Sequence, residues 1–208
     1  MVMAILSLQR GMSYEEALRK LRARAAGLRR WISGPLRGVA EIYLPYRLYR
    51  VTVDDSRLRR VRYYAVDAAT GKLDPYEFAV PPAPDEWTEV DTRNFHPARL
   101  DEGQTNKLVI EKVRRLLYSR GFFRVVNPNI GAELIQSEFY IPYWAGFYGD
   151  EQNLSITVLN AVRQTVEGNK VRRLVTTWLL ERDSTEFIPK RNEGTLQSSR
   201  PRGVAPSP

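Results

Sequence analysis

The chain has no cysteine and only one histidine, His96, among its 208 residues. Disulfides, thiolate nucleophiles, thiolate zinc sites and any site needing two histidines from one chain are therefore excluded. No run approaches the roughly eighteen uninterrupted apolar residues that cross a bilayer. The opening Met1 to Leu8 lacks the basic flank and small-residue cleavage site of a signal peptide. The expectation is a chain with no transmembrane segment and a cytoplasmic location. Glycine and proline, thirteen each, are not in excess, and 43% hydrophobic with 27% charged residues describes a globular chain of one ordinary domain or two small ones.

Charge is plentiful but uneven. Residues 1–75 hold fifteen Lys and Arg against seven Asp and Glu, while residues 76–208 hold seventeen of each, so the net +8 lies in the first third. Residues 76–103 carry seven acids and two bases together with Pro81, Pro82, Pro84 and Pro97, and read as an acidic linker. A basic module followed by an acidic segment suits either an anionic partner or a linker lying across the basic face.

Glu41-Ile42-Tyr43-Leu44-Pro45-Tyr46 recurs 97 residues later as Glu138-Phe139-Tyr140-Ile141-Pro142-Tyr143. Each copy continues through a polar turn, at Asp54 to Arg57 and at Gly149 to Asn153, into a second run, Val61 to Ala68 or Leu154 to Ala161, the pattern of a hairpin. A helix precedes each. Ser13 and Glu16 form a capping box ahead of a stripe at Tyr14, Ala17, Leu18, Leu21, Ala25, Leu28 and Ile32, stopped by Ser33-Gly34-Pro35. Thr105 or Asn106 caps the second, with Val109, Ile110, Val113, Leu116 and Leu117 inward and Gly121 at its end. A third helix follows Gly168, with Val171, Leu174, Val175 and Trp178 on one face.

The expected fold is α+β: an internal tandem repeat of helix-strand-strand, merged into a four-stranded antiparallel sheet of order 1-2-4-3 with helices on one face and an extra C-terminal helix closing an end. Pro45 and Pro142, which donate nothing to a ladder, place the first strand of each copy at an edge or bulge. The expected divisions are 1–77, the first repeat with its basic helix; 78–103, the linker; 104–182, the second repeat plus C-terminal helix; and 183–208, a disordered tail. Two separate lobes joined by the linker are the alternative. Translation begins at Met1 or Met12.

Tyr64-Ala65-Val66-Asp67-Ala68-Ala69-Thr70-Gly71-Lys72 resembles the strand and Thr-Gly turn of PepSY-type modules, a likeness of about ten residues in the first copy. The resemblance implies a binding or regulatory module without catalytic machinery, and it transfers no functional residue.

Chemistry-bearing residues are few. His96, beside carboxylates, is a possible general base, but no nucleophile with a supporting carboxylate accompanies it, and it reads as an exposed loop residue. Glu41 and Glu138 hold equivalent positions and could converge as an acid-base or hard-cation pair, yet outward charges that protect edge strands account for them. Asp54 and Asp55 lack calcium-loop spacing, and Gly71, Gly149 and Gly168 are isolated turn glycines without a phosphate-cradling pattern. No metal site, cofactor or catalytic set is expected.

Rings are abundant on the strands: Tyr140, Tyr143, Trp144, Phe147 and Tyr148 on one, Tyr43, Tyr46 and Tyr49 on its counterpart. Alternation places rings on both faces, one of them core and the other a patch for a partner. The leading expectation is a non-enzymatic protein–protein interaction or accessory module, binding a protein partner or a second copy through Tyr43, Tyr46, Tyr140, Tyr143, Trp144, Phe147 and Tyr148. The alternative is a nucleic-acid-binding module using Arg47, Arg50, Arg59, Arg60 and Arg62 beside tyrosines, although no RNP-type or Gly-x-x-Gly motif is present. A membrane-surface role for the first helix is the weaker reading, because the core needs its stripe and Tyr14 is that stripe's one bulky aromatic.

Overall fold

The computed structural model describes residues 2–26, 34–54, 59–119, 129–149 and 154–186. The elements are β1 (Met3–Leu8), α1 (Tyr14–Ala26), β2 (Leu36–Asp54), β3 (Arg59–Asp67), β4 (Tyr76–Phe78), a 3-10 turn (Pro84–Glu86), β5 (Trp87–Thr92), α2 (Glu102–Ser119), β6 (Asn129–Gly149), β7 (Leu154–Asn160) and α3 (Asn169–Glu186). Seven strands form one mixed sheet, curved as a half-barrel, with three helices among the described residues. Its path is β4-β3-β2-β6-β1-β5, and β7 also pairs with β6.

The spine is the antiparallel pair β2–β6, aligned from Leu36 opposite Tyr148 to Asp54 opposite Asn129. Their β-branched and aromatic residues suit a half-buried pleated surface. The expected four-stranded tandem repeat of order 1-2-4-3 is thus overturned: the two proline-bearing strands lie at the centre, and β1, β4 and β5 join the layer. The prolines are tolerated for a geometric reason. A strand residue points its N–H and C=O toward the same neighbour. Pro45 accepts from the Ala68 amide (2.9 Å) and Pro142 from the Ala161 amide (3.0 Å), so both turn their missing N–H away from the β2–β6 ladder. Tyr46 opposite Asp67 and Tyr143 opposite Asn160 are the last pairs of their ladders, so each missing donor falls just beyond the end of β3 or β7.

β1 makes the sheet mixed, running parallel to β6 at Ser7 opposite Tyr140 and antiparallel to β5 from Met3 opposite Thr92 to Leu8 opposite Trp87. The acidic 76–103 segment therefore contributes a strand that zips onto β1 rather than lying across the basic helix.

The helices use both faces of the sheet, not one. Met12, Ala17 and Leu21 of α1 and its lead-in pack on Trp144, Tyr148 and Leu159, and Val109 and Val113 of α2 pack on Tyr49, Val51, Tyr64 and Val66. On the opposite face, Val171, Leu174, Val175 and Trp178 of α3 bury themselves with Leu44, Tyr46, Phe139 and Tyr143. The Ser13–Glu16 capping box forms, Ser13 N–H donating to Glu16 (3.0 Å) and Glu16 N–H to Ser13 Oγ (3.2 Å). In α2 that role falls to Asp101 and Gln104 instead of Thr105 or Asn106, through reciprocal bonds of 2.7 and 2.9 Å. Thr105 is buried against the Tyr49 hydroxyl at 2.7 Å. Leu28, Ile32, Gly121, Asp55 to Arg57, the turn at 150–153 and the tail from 187 lie outside the described residues.

No helix among the described residues is long and apolar enough to cross a membrane.

Candidate functional site

Two buried polar residues shape the loops around the strongest candidate. Asp67, at the end of β3, accepts from the amides of Ala69 (2.8 Å), Thr70 (3.2 Å) and Lys72 (3.1 Å) and from the Thr70 hydroxyl (2.9 Å). The carboxylate so fixes the turn carrying Thr70, Lys72 and Leu73. Asn160, at the end of β7, accepts from the Val162 and Arg163 amides (3.0 and 2.9 Å) and donates from Nδ2 to Glu167 (3.0 Å). It sets the loop from which α3 departs.

Between the 70–73 turn, the 96–99 loop and α3 runs a groove of about 440 Å³. Its α3 wall is Lys170, Arg173, Leu174, Thr177, Trp178 and Glu181, the i, i+3, i+4, i+7, i+8, i+11 stripe of one helix face. The groove therefore extends about 16 Å along the helix, the reach of about five extended residues. Lys72 and Arg99 line the opposite wall. Arg99 pairs with Glu181 (2.7 Å) and Lys170 with Asp74. Lys72 and Arg173 are exposed and form no ion pair with a carboxylate among the described residues. Four cations against Glu181 make the groove electropositive. Lys112 adds to the surroundings by donating to the Leu73 carbonyl at 2.6 Å, and burial lowers its pKa.

His96 also lines this groove and is 1% exposed, not an exposed loop residue. Its ring sits 5.5 Å from that of Trp178. Nδ1–H donates to the Pro97 carbonyl at 2.7 Å, since a carbonyl can only accept, so Nε2 carries the lone pair. Nε2 has no hydrogen bond among the described residues. Burial lowers the imidazole pKa below its ordinary value, which keeps the ring neutral at pH 7.

The rings singled out in the sequence are enclosed by the chain itself. Tyr43, Tyr46, Tyr140, Tyr143, Trp144 and Tyr148 are each at most 4% exposed, and Phe147 is partly buried against the main core. Their polar tips have internal partners. Trp144 Nε1 donates to the Met12 carbonyl (3.1 Å), the Tyr148 hydroxyl to the Leu21 carbonyl (3.0 Å) and Tyr140 to Glu138 (2.9 Å), while the hydroxyls of Tyr46 and Tyr143 meet at 2.9 Å.

Of the arginines named for nucleic acid, Arg50, Arg59, Arg60 and Arg62 share the 50–54 and 59–63 stretch of the β2–β3 ladder, Arg50 opposite Tyr63 and Arg62 opposite Val51, while Arg47 lies apart from them. Arg47 is buried and donates to the Leu100 carbonyl. Arg50 pairs with Glu133 and Arg59 with Asp54 (3.6 Å), whereas Arg62 is exposed and Arg60 half-buried near the start of β3. Glu41 and Glu138 do not converge. Glu41 takes both oxygens to Arg10 at 3.0 Å and lies opposite Trp144, six residues along β6 from Glu138. No group of three or more His, Asp or Glu able to hold a metal occurs among the described residues.

Sequence reasoning missed Lys72, Arg99, Lys170 and Arg173 as a set. The spacing along α3 was visible, but the opposite wall comes from two loops that only the sheet topology brings to it. No protein-family model matches this chain, and neither a curated protein nor a solved structure matches it.

Proposed function

We propose that the chain is a non-enzymatic interaction module whose recognition point is the electropositive groove along α3, and that the groove takes an extended acidic segment of a protein partner. The observation that carries this reading is the combination of length and charge: a slot about five residues long, lined by four cations, two of them without a carboxylate among the described residues. His96 Nε2 supplies an acceptor for a backbone N–H of the bound segment, and the Trp178 ring forms part of the floor. Charge of this kind steers association and sets specificity more than it adds raw affinity.

The test is fluorescence anisotropy with a labelled penta-glutamate peptide. Binding is expected at low salt and weakens as ionic strength rises. Replacing Lys72→Glu and Arg173→Glu together weakens it at least about tenfold, which corresponds to about 1.4 kcal/mol. Absence of binding at low salt, or a doubly reversed variant that binds like the parent, overturns the reading. Retention on nucleic acid with no affinity for the peptide favours the arginines of β2 and β3 instead.

A further inference from the structure

A second cavity, of about 410 Å³, adjoins the groove and shares Leu73 and Lys170 with it. Its chemistry is different. Tyr46 and Tyr143 reach it with their hydroxyls 2.9 Å apart, both side chains almost fully buried. Two hydroxyls carry two hydrogens, and one bond between them uses only one. The second hydrogen has no acceptor among the described residues, because this pair makes no other hydrogen bond. Burial pushes both phenol pKa values upward, so both hydroxyls remain donors.

An acceptor faces the same cavity. Glu167 receives Asn160 Nδ2 on Oε1 (3.0 Å), and its other oxygen is uncommitted among the described residues. One flank carries Pro75, Val171 and the Tyr76 ring, with the Arg163 guanidinium 3.4 Å from that ring's centroid, and the ion-paired Asp74 and Lys170 complete the lining with Asn169. A spare donor and a spare acceptor lining one cavity, with an aromatic ring on its flank, complement a planar group that both accepts and donates.

We infer that this cavity is a binding site for a planar carboxamide, whose carbonyl takes the spare tyrosine hydrogen and whose NH₂ meets Glu167. The corresponding carboxylate is disfavoured because it sets a like charge against the uncommitted Glu167 oxygen and offers it no hydrogen, while of the two cations in the lining Lys170 is paired with Asp74 and the Arg163 guanidinium lies over the Tyr76 ring. A hydrocarbon of the same shape leaves the hydroxyl unaccepted. The inference goes beyond the acidic-segment reading and does not depend on it.

The test is an NMR titration of the full chain with benzamide, and with benzoate as the counter-probe of equal shape. Benzamide is expected to bind at least about tenfold more tightly than benzoate, since a site built around paired polar groups rejects the analogue that leaves them unmatched. Ac-Gly-Gln-Gly-NH₂ in place of benzamide tells a peptide side chain from a free aromatic amide, and binding of either supports the class. Tyr46→Phe or Tyr143→Phe alone leaves one hydroxyl whose hydrogen is free to donate, so each single variant keeps amide binding, and the double variant loses it. Should the double variant fail to fold, Glu167→Gln reads the same contact: benzoate gains relative to benzamide. The inference is overturned by equal affinity for amide and acid, by no binding of either amide, or by single variants that lose as much as the double. Lys72→Glu with Arg173→Glu leaves benzamide binding unchanged, which separates this outcome from that of the groove.

Discussion

The ends of β3 and β7 solve one problem with two different side chains. Each strand closes with a fully buried polar residue, Asp67 or Asn160, and each is followed by an alanine whose amide bonds to a proline carbonyl of the spine. Asp67 faces donors only: five bonds from the turn converge on its two oxygens, including Leu73 N–H at 3.4 Å. An acceptor-only carboxylate fits that demand. Asn160 faces two amide donors on one side and the Glu167 carboxylate on the other, so it must accept and donate. The difference teaches that the identity of a buried turn residue is set by the hydrogen-bond inventory around it rather than by the turn alone, and that the two ends lead to unlike surfaces, a cationic groove and a mixed donor-acceptor cavity.

Exchanging the two residue types breaks the comparison most severely at β7. Asn160→Asp sets a buried carboxylate against Glu167 and removes the donor between them, with an expected loss of about 3 kcal/mol in urea unfolding. Adding Glu167→Gln recovers most of that loss; a variant as stable as the parent would contradict the assignment. Asp67→Asn is milder, about 2 kcal/mol, because one oxygen survives while the new NH₂ confronts N–H donors. It also weakens penta-glutamate binding by loosening the turn that carries Lys72, which anisotropy measures directly.

The smallest effect is confined to acid and belongs to the Asp67 end, where His96 lies. Burial lowers the folded-state pKa of His96 from its ordinary 6.5, so on acidification the unfolded chain takes the proton first. Stability contributed by the neutral ring is present above about pH 6.5 and is lost as pH falls below it, until the folded imidazole also protonates. Melting temperature followed between about pH 7.5 and 5 should decline in the parent and flatten in His96→Phe; equal slopes would remove His96 from the account.

Local structure was legible wherever the signal is local. The Ser13 capping box and the apolar stripe of α3 stand where their spacing puts them. Strand order was not, because a proline's effect depends on which neighbour its carbonyl faces, and that is a property of the assembled sheet. β5 reads as linker because Trp87–Thr92 is polar and acidic beside a proline-rich turn, and none of its positions is fully buried. Its partner β1 is some eighty residues away and leaves no local mark. The strand rings read as surplus because their cover, α1, β1 and α3, comes from parts of the chain distant in sequence. Tyr14 went the other way: assigned inward, it stays 46% exposed with its ring edge-on to Trp144 at 5.8 Å.

α1 presents Arg19, Lys20, Arg22 and Arg24 to solvent, as cationic as the groove but convex and without a facing wall. The most direct measurement is therefore a residue-resolved NMR titration of the whole chain with penta-glutamate. Shifts confined to Lys72, His96, Arg99 and the 170–181 face of α3 are the predicted result. Shifts centred on α1, or spread evenly over every exposed arginine, would contradict the claim that a shaped groove, and not bulk positive charge, does the recognising.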